Sequence, residues 1–168
     1  MNDDHSNESA ADELPAPYEH KQQGWIHIPM EVIAILMLLV IWLPDVPFQV
    51  MLGLTIGAGI LVLLTLMFRT LTIKDEGENL LAQFGPWPVF RKRIPYERIV
   101  SAEAGKTSLI DGLGYHWIPM RGWTLNIAGR DCVHLQMLSG SSIRLGTDDV
   151  QGLLEVVNRK LSPHRRDV

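Results

Sequence analysis

The chain has 168 residues, room for one small domain and one further segment, with an ordinary apolar content of 46 %. Its single cysteine, Cys132, excludes a disulfide framework, and none of its six histidines is spaced as a metal ligand. The net charge of −4 hides a segregation: residues 1–31 carry seven acids and one base, residues 32–68 carry only Asp45, and residues 69–168 carry fourteen bases against eleven acids, a surplus too small to argue for nucleic acid.

Residues 1–24 are rich in Asp, Glu, Asn, Ser, Ala and Pro and show no apolar period. Such a segment buries too little surface to offset its ordering entropy, so a disordered acidic tail is expected there. It begins with acids rather than a basic region, which does not fit a signal peptide.

Two apolar runs follow, Ile28 to Leu43 and Val46 to Phe68, separated by Pro44 and Asp45. Runs of this length predict a transmembrane hairpin with helices over about 25–43 and 46–68. The first run alone covers about 24 Å of a hydrocarbon core of about 30 Å, and extension back to Trp25 recovers the length. Trp25 and Trp42 then lie at the two ends of the first helix. Phe48 and Phe68 bracket the second, with Arg69 just beyond, and these five are the expected membrane-interface residues. Lys21, Arg69 and Lys74 flank the pair while the connection carries only an acid, so both termini are expected on the cytoplasmic side. Gly53, Gly57 and Gly59 form a small-residue stretch suited to helix packing, within the hairpin or against a partner. Glu31 is a weak intramembrane suspect, because the nearby interface can solvate it.

After Phe68 the period shortens. Arg69 to Lys74 alternates, residues 75–77 turn, and Asn79 to Phe84 reads as a second strand. Residues 85–88 break it, 89–94 form a third strand, and Pro95 opens a single helical turn before a strand over 100–104. Residues 105–119 read as Gly-rich and irregular. Trp123 to Ile127, Val133 to Met137 and Ile143 to Leu145 alternate as an antiparallel meander. Thr147 is placed to cap a last helix, whose Val150, Leu153, Leu154, Val157 and Leu161 share one face and which Pro163 would stop. Residues 162–168 are expected to be a frayed basic end.

The expected fold class is therefore an α+β membrane protein: a two-helix hairpin, then an antiparallel β-sandwich or barrel capped by a C-terminal helix. The strings Ile94-Pro-Tyr-Glu-Arg-Ile99, Gly112-Leu-Gly114, Arg121 to Asn126 and Ser141 to Asp148, in that order and spacing, resemble the bacterial PH-like domain family over residues 69–161. That family comprises small membrane-anchored proteins of mostly unknown role. The resemblance implies a cytoplasmic PH-like domain at the inner membrane, acting as a non-catalytic binding or scaffolding module, and it carries over no catalytic residue, cofactor or metal. The expected partners are the lipid bilayer and either a protein or a second copy of the chain. A subunit of a larger membrane complex, recognised through the hairpin, is the alternative; a lipid-binding protein is a second. Arg91, Lys92 and Arg93, with Trp87 and Trp117, are the candidate contacts to headgroups or a partner.

Overall fold

The computed structural model describes residues 17–107, 114–119 and 122–164. It is a mixed α+β structure. Strand β1 (Glu19–Gln23) leads into helices α1 (His27–Val40) and α2 (Phe48–Met67), which pack on one another. Strands β2 (Thr70–Asp75), β3 (Asn79–Phe84) and β4 (Arg91–Pro95) follow, then a 3-10 turn over Tyr96–Arg98. Strands β5 (Ile99–Lys106), β6 (Gly114–Ile118), β7 (Gly122–Asn126), β8 (Asp131–Met137) and β9 (Ser142–Gly146) precede helix α3 (Val150–His164). One sheet is antiparallel with order β1-β2-β3-β4, and the other has order β5-β8-β9-β7-β6.

The two sheets share a core. Leu71, Ile73, Leu80, Phe84 and Ile94 come from the first, and Leu125, Val133, Leu135, Ile143 and Leu145 from the second. Leu153, Val157 and Leu161 of α3 join them from the predicted face, and α3 packs on β5, β8 and the 3-10 turn. Asp149 caps α3 by accepting from the Gly152 amide at 3.0 Å, whereas Thr147 accepts from the Asp149 amide one step earlier. The helix also runs past Pro163 to His164, so that proline does not end it.

The expected disordered tail is corrected at its C-terminal end. Residues 19–23 form β1, paired with β2 from Glu19↔Lys74 to Gln23↔Thr70. This strand is held by polar contacts, which an argument from apolar burial does not register. The Tyr18 hydroxyl donates to Asp149, His20 meets Asp148, and Glu19 pairs with Lys74 at 3.2 Å. Residues 1–16 lie outside the described residues.

The meander is corrected as well. β8 and β9 are antiparallel, but β7 runs parallel to β9 and does not pair with β8. The link from β7 to β8 is held open as an arch over the end of β9. Thr107 donates to Arg130 O through its amide and its hydroxyl, and Asn126 Nδ2 donates to Gly129 O at 3.2 Å. Gly122, at φ +82°, approaches Ser142 so closely that a Cβ would stand 2.0 Å from its carbonyl oxygen. Part of the stretch read as irregular is strand β6, whose Tyr115 and Trp117 were hidden among glycines.

The helical segment is shorter than expected. Among the described residues only α2, with 20 residues, is long and apolar enough to cross a membrane by length and composition; α1 is a shorter apolar helix of 14 residues. Single i to i+3 bonds continue its winding to Trp25 at one end and to Leu43 at the other. At the tip Asp45 takes φ +63°.

The helices join the sheets without a linker. Gly24 N donates to Arg69 O at 3.0 Å, extending the β1–β2 ladder to the first residues of the helix pair. Gly85, at φ +64°, lets the end of β3 pass under α2: a Cβ there would lie 2.6 Å from Met67 O.

Candidate functional site

Three strand ends converge beneath the helices. β2 begins just after α2, the register pairs its first residues with the last of β3, and those pair with the first of β4. β6 arrives from the second sheet. The result is a collar of aromatic residues between the helix pair and the sandwich. Phe68 packs between Phe84, at 5.6 Å, and Phe90, at 5.3 Å, between ring centroids. Tyr115 stands 6.5 Å from Phe90 and 5.0 Å from Trp123. Phe68 is thus a joint residue packed against the core rather than a free membrane-interface ring, because its α2 terminus abuts β3 and β4.

Outside this cluster the collar is exposed. Trp25, Trp87, Val89 and Trp117 are all about half open or more, and Arg69, next to Phe68 in sequence, is exposed. Trp42 and Phe48 are exposed at the far end of the helices. Glu31 is also exposed, on α1.

The basic triplet is not one patch. A strand alternates faces, so Lys92 turns inward with Ile94 while Arg91 and Arg93 turn out. Lys92 Nζ lies 4.1 Å from the centroid of the Trp123 ring, and burial pulls its pKa below the ordinary lysine value. Arg93 is engaged by Glu76, Nε to Oε2 at 2.8 Å. Arg91 keeps a guanidinium with no ion pair among the described residues.

The glycines also separate. A Cβ at Gly57 would meet Met37 Cε at 2.6 Å, so Gly57 serves packing inside the helix pair, together with buried Ala34 and Ala58. Gly53 and Gly59 have nothing within 4 Å of a Cβ position. Gly53 lies one turn before Gly57, about 40° round α2 from it, and Gly59 about 160° round; both are exposed.

An apolar cavity of about 400 Å³ opens at the joint. Ile26 and Met30 of α1 form one wall, and Phe68, Tyr115 and Ile127 form the other, with Gly114 and His116 at the edge. Of these only Phe68 was a candidate site residue in the sequence. The available signal was Tyr115 and Trp117 at strand spacing.

At the opposite end of the sandwich Tyr96 donates to Asp75 at 3.2 Å and Lys160 pairs with Asp75 at 3.3 Å, tying α3 to the first sheet. Burial, then the Asp75 charge, push the Tyr96 hydroxyl well above the ordinary tyrosine range. Among the described residues no three His, Cys, Asp or Glu side chains gather closely enough to hold a metal ion. Chemically the collar is an apolar surface flanked by two exposed guanidinium groups, Arg69 and Arg91. In comparisons with known proteins, no family model matches the chain and no curated protein sequence matches it.

Proposed function

We propose that this chain is a non-catalytic module anchored in the bacterial inner membrane, whose PH-like domain binds a protein partner or a second copy at the cytoplasmic surface. One observation carries the reading: the helix pair presents its apolar side chains outward. Ile33, Leu36, Ile56, Ile60 and Leu63 are each half exposed or more. In water each would forgo about half of the roughly 1.5–3 kcal/mol that full burial supplies, and together they form a patch far beyond that of an ordinary soluble surface. In hydrocarbon that penalty vanishes. Fourteen residues of α1 rise about 21 Å, and the i to i+3 turns flanking them add about 10 Å more, which is enough for the core of a bilayer. Support for the PH-like reading comes from two packed sheets closed by one C-terminal helix. The parallel β7–β9 pair and the added strand β1 depart from a purely antiparallel design.

A buried Cys132 makes topology testable in the full chain. Asp45→Cys should react with an impermeant maleimide in intact cells, and Lys106→Cys only after lysis. Extraction of the chain by alkaline carbonate would end the reading. For recognition, Trp87→Ala with Trp117→Ala should abolish cross-linking to a partner in native membranes.

A second reading, a subunit of a larger membrane complex held through the helices, is favoured by the open Gly53 and Gly59. It predicts that Gly53→Leu with Gly59→Leu abolishes cross-linking while the tryptophan pair leaves it intact.

A further inference from the structure

The cavity at the joint is walled by the same helix face that runs up into the apolar surface. Ile26, Met30 and Ile33 sit at i, i+4 and i+7 on α1; the first two line the cavity and the third is half exposed. The stripe therefore forms a continuous apolar path from the outside of the helix pair into the space beneath it. At about 400 Å³ this space falls within the roughly 300–1,000 Å³ of small-molecule sites. Among the described residues His116 and the Tyr115 hydroxyl are the only polar side-chain groups in its lining, too few to hold water that fills it.

Cations stand at the same end. Arg69 follows Phe68, a wall residue, and Arg91 begins the β4 edge; both are exposed and free of ion pairs among the described residues. A guanidinium is the side chain best shaped to grip a phosphate. Glu31, the acid next to the wall residue Met30 in sequence, lies about 100° round the helix from it.

We infer that the cavity receives one acyl chain of an anionic phospholipid from the cytoplasmic leaflet, with the lipid phosphate held at Arg69. The inference rests on the membrane reading above. The sheet domain then sits on a lipid wedged between it and its own anchor, and leaflet composition decides how firmly it is seated.

The test uses the full chain in nanodiscs of phosphatidylcholine with phosphatidylglycerol, the latter carrying a diazirine near the end of one acyl chain. Cross-links are expected in the peptide spanning residues 114–127, besides those on the helices. Cross-links confined to α1 and α2 overturn the proposal. Met30→Trp fills the cavity and should remove the cross-link in 114–127 while sparing those on the helices; its persistence overturns the proposal. Arg69→Gln should bring labelling by the phosphatidylglycerol probe down to that by a phosphatidylcholine probe. The wild-type pattern decides the matter if either variant misfolds. A chain that resists carbonate yet shows no cross-link in 114–127 sinks this inference alone. A chain extracted by carbonate sinks both.

Discussion

The helix pair and the β-sandwich are built from much the same apolar residues and place them in opposite directions. In the sandwich, Leu125, Leu135 and Leu145 are wholly buried. In α2, Leu52 and Leu63 are half exposed, and the buried positions before its last residue, Met67, are the small or polar Ala58 and Thr65. The sandwich is organised by withdrawal of apolar area from water. The helix pair is organised by close approach of small residues, the rule where the surroundings are themselves apolar. Under the membrane reading proposed above, the same residue types meet two solvents within one chain.

The sharpest way to break this contrast is at Gly122. A side chain there would strike Ser142 O and would sit at a positive φ, so Gly122→Val should cost the sandwich about 3 kcal/mol or more, separating β7 from β9. Helix content and carbonate resistance should survive. Urea unfolding in detergent micelles, followed by tryptophan fluorescence, checks it. Next comes a matched pair. Leu135→Ala should lower sandwich stability by about 3 kcal/mol through the cavity it leaves, whereas Leu63→Ala should change it by less than about 0.5 kcal/mol. Equal losses would mean that the two regions share one solvent.

A smaller effect concerns the joint. A double-mutant cycle on Lys92→Met and Trp123→Leu should return a coupling of about 1 kcal/mol, read from the same unfolding curves. The smallest is a pH effect at His134. Burial, then the Arg144 charge, hold this ring below the ordinary histidine value, with Glu103 opposing in part. The folded state therefore takes up the proton less readily than the unfolded one. The contribution is complete above the unfolded value of about 6.5 and is lost as pH falls through the folded value. Melting temperature should fall between about pH 7 and about pH 5, and His134→Gln should flatten that slope.

Elements specified by local period and local capping were legible in the sequence. The length and uniformity of Phe48–Met67 marked α2, alternation marked β8 and β9, and Pro95 marked the 3-10 turn. The apolar face of α3 was legible for the same reason. What escaped depends on distant partners. Glu19–Gln23 has no apolar signature and becomes a strand only when β2 lies beside it. The parallel β7–β9 pair depends on Thr107 and Asn126 holding an arch, which no period encodes. The division of Arg91, Lys92 and Arg93 follows from strand alternation once β4 is placed, but their separate partners, Trp123 and Glu76, lie far along the chain. The collar was half legible: its indoles stood out singly, while Phe90, Tyr115 and His116 gained meaning only when β6 came to lie beside Phe68 and β4.

β1 is made before the two helices and β2 directly after them, yet the two strands are neighbours in one sheet. In the bilayer proposed here, those strands meet only if the chain crosses an even number of times. A chain that threaded α2 and left α1 behind would strand β1 and β2 on opposite sides, and the sheet would begin with an open edge at β2. Closure of the β1–β2 ladder is therefore a built-in check on correct insertion: the soluble domain completes itself only after its anchor has gone in and come back.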